Sequence, residues 1–208
     1  MILSVSGEKG GTGKTTLATN LAPLVDDLLV VDTDQQGSFS MWSAMRSDNK
    51  DVQRVNCIQK FGDDLANEIR SLSDRYDNII VDVAGKDSTE MRASMLVSDI
   101  IIFPLNASQF DVWTVNRLNK LVEDARGFNK ELKAFYMLNR LPTNTDKEEK
   151  EALELLQGIK NIKNLNAKLF DRKAYRTAAG NGLSVVELKP TDKKAMNELM
   201  AVYKCIYN

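Results

Sequence analysis

The sequence predicts an α/β fold in which a mostly parallel sheet carries helices on both faces. Short, continuously apolar runs alternate along the 208 residues with segments whose apolar residues recur at helical spacing. Continuous apolar runs are typical of strands buried on both faces, as in parallel sheets. A glycine-rich stretch joins the first run, Met1 to Val5, to the first helical segment. We find no linker, repeat or low-complexity segment, so we expect one domain spanning residues 1–208.

The glycine-rich stretch from Gly7 to Thr16 has the composition of a phosphate-binding loop. Glycines let the backbone wrap closely enough to aim several N–H groups at one anion, and the helix that follows adds its positive end. A lysine at position 14 is placed to reach the β and γ phosphates, and the next threonine hydroxyl to bind Mg²⁺. The predicted nucleotide-binding residues are Gly10, Gly11, Thr12, Gly13, Lys14, Thr15 and Thr16.

The exact form of this loop indicates a particular family. The general pattern G-x-x-x-x-G-K-[ST] requires a glycine where this chain has Glu8, and a dinucleotide-type G-x-G-x-x-G requires one where it has Thr16. The motif K-G-G-x-G-K-T-T resembles instead the deviant Walker A motif of ParA/MinD ATPases. Lys9, five residues before Lys14, is the mark of that family. The structural alternative is a glycine-rich turn that binds nothing.

Two carboxylates follow the second predicted strand, Leu28 to Val31. In doubly wound sheets ligands bind at the carboxyl ends of strands, so Asp32 and Asp34 are expected near the phosphates. The alternative is that they only cap the next helix. The resemblance implies that Asp32 lies near the Mg²⁺ shell and that Asp34 positions the attacking water. The chain departs mildly from the family at Gln35, where proline is common.

A third carboxylate closes the apolar strand Ile79 to Val81. An apolar strand ending in one aspartate is the Walker B arrangement, which makes Asp82 a candidate to hold Mg²⁺ through water. The loop Gly85 to Ser88 follows as a candidate sensor of the γ phosphate. Behind a phosphate-binding loop at this distance, the strand and its aspartate form a specific signal.

The remaining elements complete the alternation. We expect further strands over residues 52–58, 100–105 and 135–140, which gives six in all, and helices over residues 38–46, 63–72, 111–126, 143–158 and 192–207. The resemblance implies that an asparagine at the end of the sixth strand helps to read adenine, and Asn139 is that residue.

Composition limits the chemistry. Hydrophobic content of 43% and charged content of 27% are typical of globular proteins, and no run is long and apolar enough to span a membrane, so we expect a cytoplasmic protein. The chain has no histidine, which leaves catalysis to carboxylates, lysines and Mg²⁺. Cys57 and Cys205 form no C-x-x-C motif, and both are expected to be buried thiols.

The C-terminal quarter is basic although the formal net charge is only −1. Residues 159–208 contain ten Lys or Arg and four Asp or Glu. Positive charge binds phosphate backbones without base contacts, but a solvated helical face is an equally good explanation. Residues 174–185 resemble a segment near the C-terminus of small ParA proteins, where basic residues bind nonspecific DNA. The residues predicted to do so here are Lys168, Arg172, Lys173 and Arg176.

The resemblance covers nearly the whole chain and implies an ATPase switch that uses ATP and Mg²⁺. It implies a homodimer when ATP is bound, with Lys9 of each subunit reaching the other's phosphates. It also implies nonspecific DNA binding on the nucleoid and hydrolysis stimulated by a ParB-like centromere-binding protein. A MinD-like membrane-associated ATPase and a metabolic P-loop ligase are the alternatives. The last helix mixes Asn197, Glu198 and Lys204 on its polar face, which favours core packing over membrane binding.

Overall fold

The computed structural model describes residues 1–85, 88–107, 112–144 and 146–207. Its centre is one seven-stranded, fully parallel sheet with the order β3-β2-β4-β1-β5-β6-β7. The strands are β1 (Ile2–Val5), β2 (Leu28–Asp32), β3 (Asn56–Gln59), β4 (Asn78–Asp82), β5 (Ile100–Asn106), β6 (Lys133–Leu141) and β7 (Lys163–Phe170).

Helices connect successive strands and cover both faces of the sheet. They are α1 (Lys14–Leu21), α2 (Ser38–Ser47), α3 (Leu65–Ser73), α4 (Thr89–Met95), α5 (Val112–Arg126), α6 (Lys147–Leu156), α7 (Lys173–Ala179) and α8 (Lys193–Tyr207). One core lies between the sheet and helices α3 to α6, and the other between the sheet and helices α1, α2, α7 and α8. The predicted α/β class, with a parallel sheet and helices on both faces, is confirmed.

The seventh strand was not predicted. Residues 163–170 lie in the segment interpreted as a solvated helical face or a DNA-binding surface, and that helical interpretation is wrong. Leu165, Ala167 and Leu169 are buried at alternating positions, whereas Asn166 and Lys168 between them are exposed and half-buried, respectively. This alternation is the strand period, because successive side chains of a strand point to opposite faces. Helices α4 and α7 were also missed.

Smaller expectations were mixed in their outcome. The helix expected over residues 192–207 is present as α8, and Leu199, Val202 and Ile206 are buried in the core beside β7. Cys57 is only half-buried and Cys205 is exposed, so the expectation of two buried thiols is wrong. Lys86 and Asp87 of the predicted γ-phosphate sensor, and Asp111 of the helix predicted over residues 111–126, lie outside the described residues.

The segment after α7 is fastened to the helices next to the phosphate-binding loop. The Arg46 guanidinium of α2 is fully buried, donates to both carboxylate oxygens of Glu187 at 2.8 and 2.7 Å, and lies 5.3 Å from the centroid of the Trp42 ring. The Val185 N–H donates to the side chain of Asn20 in α1 at 2.8 Å. These contacts fix the C-terminal third of the chain against α1 and α2. Among the described residues no helix is long and apolar enough to cross a membrane.

Candidate functional site

The glycine-rich loop lies between β1 and α1 and has the backbone that the sequence predicts for it. Gly11 and Gly13 have φ of 76° and 88°, in the left-handed region that favours glycine. A Cβ atom at Gly13 would lie 2.3 Å from the Asn139 Nδ2 atom, so any other residue there would have to displace the Asn139 side chain. The loop is therefore closed tightly against the end of β6.

Lys14 is the first residue of α1, and its side chain turns back into the loop. It is only 8% exposed, and its Nζ atom donates to the Lys9 carbonyl at 3.1 Å. Burial lowers the pKa of Lys14, and the carboxylates of Asp82 and Asp34 partly oppose that shift. A largely buried ammonium thus lies at the loop on a single backbone carbonyl, where phosphate oxygens could serve as its counterions. Lys9 itself is half-buried on the same loop.

The predicted Walker B aspartate meets the loop directly. Asp82 ends β4 in register with Asp32 at the end of β2, and its Oδ2 atom accepts a hydrogen bond from the Thr15 hydroxyl at 2.7 Å. The Asp82 Oδ1 atom is buried and has no hydrogen-bond partner in the described part of the chain. Burial, with a smaller contribution from Asp32, raises the pKa of Asp82 to about 7. An orphaned buried carboxylate oxygen beside a hydroxyl is the feature that a hydrated cation would satisfy.

Asp32 is fully buried and already hydrogen-bonded. Its Oδ1 atom accepts from the Asp34 N–H at 3.0 Å, and its Oδ2 atom accepts from the Ser40 N–H and hydroxyl, both at 2.9 Å. Asp32 therefore fixes the start of α2 and the backbone of Asp34. The half-buried Asp34 lines the cavity beside the loop, where the sequence interpretation expects it to position water.

The residues around Asp82 fit Mg²⁺. The described ranges contain no cluster of three or more His, Cys, Asp or Glu able to hold a metal ion. Mg²⁺ does not need one, because it keeps several waters and is bound through one or two carboxylates together with substrate phosphates. Of the three residues predicted to hold the metal, Thr15 and Asp82 contact each other, and Asp82 has an oxygen atom without a hydrogen-bond partner among the described residues. Asp32 lies next to Asp82 in the sheet, and both of its carboxylate oxygens already accept hydrogen bonds.

A cavity of about 450 Å³ extends from the loop toward β6 and β7. One side consists of the loop, α1 and the ends of β2 and β4; we call it the phosphate side. The other consists of the ends of β6 and β7 and the start of α7. The lining residues there, which we call the β7 side, are Asn139, Arg140, Leu169, Phe170, Asp171, Arg172, Tyr175 and Arg176.

Asn139 braces the loop. Its Nδ2 atom donates to the Thr12 carbonyl at 2.7 Å, and its Oδ1 atom accepts from the Arg140 N–H at 2.9 Å. The adenine contact implied for Asn139 by the resemblance stays a prediction. Sequence reasoning passed over Arg140, which has a left-handed φ of 56° and donates from Nη1 to the Gly11 carbonyl at 3.0 Å. A non-glycine residue in that region next to a functional loop marks strain maintained by its surroundings.

The four residues predicted to bind DNA do not form one surface. The Lys168 ammonium on β7 contacts Glu149 at 2.6 Å in a groove separate from the cavity. Arg172 and Arg176 line the cavity and pair with Glu198 and Asp171, respectively. Lys173 is exposed at the start of α7. DNA binding by these residues stays a prediction, but the structure separates Lys168 from the other three.

Comparisons with known proteins point to one family. Residues 3–185 match the model of the CobQ/CobB/MinD/ParA nucleotide binding domain. The Maintenance of carboxysome distribution protein A of Halothiobacillus neapolitanus is 26% identical over 95% of this chain and 92% of its own length. A ParA family protein of Mycoplasma genitalium is 21% identical over 100% of this chain and 97% of its own.

Solved structures show the same fold. Nucleotide-free McdA from Cyanothece has a TM-score of 0.76 at 17% identity and covers 99% of this chain and 98% of its own. MinD from Pyrococcus horikoshii in complex with Mg-ADP has a TM-score of 0.73 at 19% identity, and the match covers 100% of this chain and 96% of the MinD chain.

Proposed function

This chain belongs to the CobQ/CobB/MinD/ParA family of nucleotide-binding domains, and we propose that it is an ATPase switch that positions cargo over DNA. The observation that carries the proposal is that Lys14, Thr15 and Asp34 line one cavity, with Asp82 hydrogen-bonded to Thr15, next to a loop that also contains Lys9. A phosphate-binding loop alone fits many enzymes. The added lysine and the carboxylate placed to orient water fit a regulated ATPase.

Different residues of the phosphate side bind the phosphates, hold Mg²⁺ and orient the attacking water. The N–H groups of the loop and the Lys14 ammonium bind the β and γ phosphates of ATP and neutralise the charge that develops on them. Thr15 and Asp82 would hold Mg²⁺, which supplies charge neutralisation between the phosphates when bound. Asp34, whose backbone is fixed by Asp32, orients the attacking water in line with the γ phosphate.

Lys9 makes the activity depend on a second subunit. Two chains face each other across their nucleotides, and Lys9 of each reaches the phosphates bound by the other, as an arginine finger does in other NTPases. Loss of the γ phosphate removes the group that both subunits hold, so hydrolysis separates them. The triphosphate therefore controls whether two chains act as one.

DNA binding by the paired form links this switch to position. Exposed Lys173 and Arg176 lie on α7, at the same end of the sheet as the nucleotide cavity. Pairing two chains doubles the positive surface offered to a phosphate backbone, so affinity for nonspecific DNA rises with ATP and falls with hydrolysis. A ParB-like partner bound to the cargo stimulates hydrolysis, so the protein dissociates from the DNA near the cargo.

Two relatives suggest the kind of cargo. One of them is named for carboxysome distribution, and a putative plasmid partition protein from Borrelia burgdorferi, bound to AMPPNP, has a TM-score of 0.71 at 16% identity. We propose a plasmid or another large body as the cargo of this chain. The apolar face of α8, which a membrane anchor would need, is buried in the core.

The test measures retention of the purified protein on nonspecific duplex DNA and on anionic liposomes with Mg-ATP, with Mg-ADP and without nucleotide. We expect retention on DNA with ATP alone, weakening as salt rises, and none on liposomes. Lys14→Ala is the matched control, because it should bind neither surface under any condition. Retention on liposomes with ATP would favour a MinD-like protein, and ATP turnover without nucleotide-dependent retention would favour a metabolic ligase.

A further inference from the structure

Arg140 differs from the other arginines of the nucleotide cavity in what it contacts. Arg172 and Arg176 each pair with a carboxylate, whereas the Arg140 Nη1 atom donates to the Gly11 carbonyl of the phosphate-binding loop at 3.0 Å. The Arg140 side chain is exposed and lines the cavity, and within the described residues it makes no ion pair with an aspartate or glutamate. Charge pairing within the chain therefore does not explain where the Arg140 guanidinium lies.

The backbone of Arg140 is strained. Its φ of 56° is in the left-handed region, which residues other than glycine adopt rarely because the Cβ atom crowds the following carbonyl oxygen. The Asn139 Oδ1 atom accepts the Arg140 N–H at 2.9 Å, and the register of β6 against β7 shifts between Leu138 and Leu141. Strain of this kind persists mainly at functional sites. In this chain it lies at the residue of β6 that contacts the Gly11 carbonyl.

Asn139 and Arg140 together hold two successive carbonyl groups of the loop. The Asn139 Nδ2 atom donates to the Thr12 carbonyl at 2.7 Å, next to the Gly11 carbonyl that Arg140 holds. Because the C=O and N–H of a trans peptide point in opposite directions, the N–H groups of Thr12 and Gly13 point away from these side chains. In the part of the chain that the structure describes, neither N–H donates a hydrogen bond. Both are therefore free to bind an anion.

The peptide between Gly11 and Thr12 could otherwise turn the wrong way. Rotation about the bonds that flank it would exchange the positions of its C=O and N–H, and Gly11 has no side chain to hinder that rotation. A carbonyl oxygen in place of the N–H would repel the phosphate oxygens, because both carry negative charge. The hydrogen bond from Arg140 opposes the rotation, since turning the peptide would move the Gly11 carbonyl away from the guanidinium.

We infer that Arg140 is a positioning residue, which holds the peptide between Gly11 and Thr12 in the orientation that binds phosphate. Asn139 does the same for the next peptide of the loop. The inference rests on the proposed nucleotide site and extends it by assigning a role to a residue that lies outside every motif of the sequence. Because Arg140 acts through the loop, its effect should not depend on whether the ligand has a base.

The test compares Mg-ATP with inorganic tripolyphosphate and Mg²⁺, which provides phosphates but no base. Calorimetry measures both dissociation constants for the parent and for Arg140→Asn. Asparagine adopts the left-handed region readily, so this variant keeps the backbone while its shorter side chain loses the contact with Gly11. Both ligands should bind about tenfold more weakly, by similar factors, and Tm should stay within about 2 °C of the parent. Arg54→Asn, at an exposed arginine before β3, is the matched control and should change neither constant.

A further variant and a salt series separate positioning from charge. Arg140→Lys keeps a donor long enough to reach the Gly11 carbonyl, so it should bind both ligands within about threefold of the parent. The tenfold loss in Arg140→Asn should be the same at about 50 mM and about 500 mM NaCl, because positioning acts through the loop. A direct contact between the Arg140 charge and the phosphates would instead be screened at the higher salt.

The outcomes separate this inference from the proposed function. A parent protein that binds neither ATP nor tripolyphosphate would remove the nucleotide site and the inference together. If the parent binds both, weaker binding of ATP alone by Arg140→Asn overturns the inference, because Arg140 would then contact the base or the ribose. Unchanged affinity for both ligands overturns it too, and so does a loss that shrinks as salt rises. A large fall in Tm without recovery in Arg140→Lys would show that Arg140 serves only the fold.

Discussion

The two sides of the cavity hold their charges in opposite ways. On the phosphate side, Lys14 and Asp82 are buried, Lys14 donates to a backbone carbonyl, and one Asp82 oxygen has no hydrogen-bond partner in the described residues. On the β7 side, Arg172 and Arg176 each pair with a carboxylate of the chain itself, Glu198 and Asp171. The phosphate side thus has buried charged groups that a ligand would pair with, whereas these two arginines of the β7 side are already paired within the chain.

This difference predicts different costs for substitution. Removing one charge from the phosphate side should weaken binding of the whole triphosphate. Neutralising a buried charge there should make the ligand-free protein more stable, because a buried charge without a partner destabilises the fold. A substitution in one of the charge pairs on the β7 side should affect only the contacts at that end of the nucleotide or on the outer surface.

The largest expected effect comes from Lys14. Lys14→Ala removes the buried ammonium that turns back into the loop, and should weaken binding of ATP and of tripolyphosphate alike by more than about 100-fold. Calorimetry with both ligands checks this result. Tight binding of tripolyphosphate by the variant would remove the contrast between the two sides.

A smaller effect concerns stability and pH. The pKa of Asp82 is raised by burial to about 7 in the folded protein, above its unfolded value of 3.8. The stability linked to this group is therefore fully present below the unfolded pKa and is lost as pH rises through the folded pKa. Between about pH 5.5 and 7 the loss should be roughly 2 kcal/mol, at about 1.4 kcal/mol per pH unit.

Asp82→Asn tests this loss because it stays neutral throughout. Denaturant unfolding without nucleotide or Mg²⁺ should show the variant losing roughly 2 kcal/mol less than the parent between about pH 5.5 and 7. Asp51→Asn, at an exposed aspartate, is the control and should follow the parent. Identical pH slopes for the parent and Asp82→Asn would show that burial does not raise the pKa of Asp82.

The smallest effect is expected at the outer edge of the β7 side. Arg176→Glu should lower retention on nonspecific DNA with ATP about tenfold, since Arg176 is exposed and its partner Asp171 is an exposed surface aspartate. ATP turnover without DNA should remain at the parent value. Lys163→Glu makes the same charge change at the opposite end of β7 and should keep full DNA retention. Equal losses in the two variants would indicate a diffuse charge effect instead of a surface on α7.

The same contrast explains what the sequence predicted. The phosphate side is encoded locally, because one strand, one glycine loop and one helix follow each other, and Asp32 and Asp82 stand at the ends of apolar runs. The β7 side depends on pairs far apart in sequence, such as Arg172 with Glu198 and Arg46 with Glu187. No local pattern reveals such partners, so basic residues that line a cavity resembled a DNA surface.

Strand β7 itself had a detectable signal. Its buried residues alternate with Asn164, Asn166 and Lys168, which is the pattern of a strand with one polar face. Because this segment is rich in lysine, its charge suggested a DNA-binding surface and its two-residue hydrophobic period was overlooked. The short α4 and α7 have seven residues each, too few to show helical periodicity.

The central claim, that Lys9 of one chain completes the site of the other, is tested most directly by mixing two inactive variants. Lys9→Ala keeps Asp34 but lacks the lysine needed in trans, and Asp34→Ala keeps Lys9 but cannot orient water. Each alone should bind ATP and turn it over at least about 100-fold more slowly than the parent. Mixed in equal amounts, they should recover turnover to a substantial fraction of the parent rate, because the mixed pair contains one complete site. Formation of mixed pairs without any recovery of turnover would contradict the account.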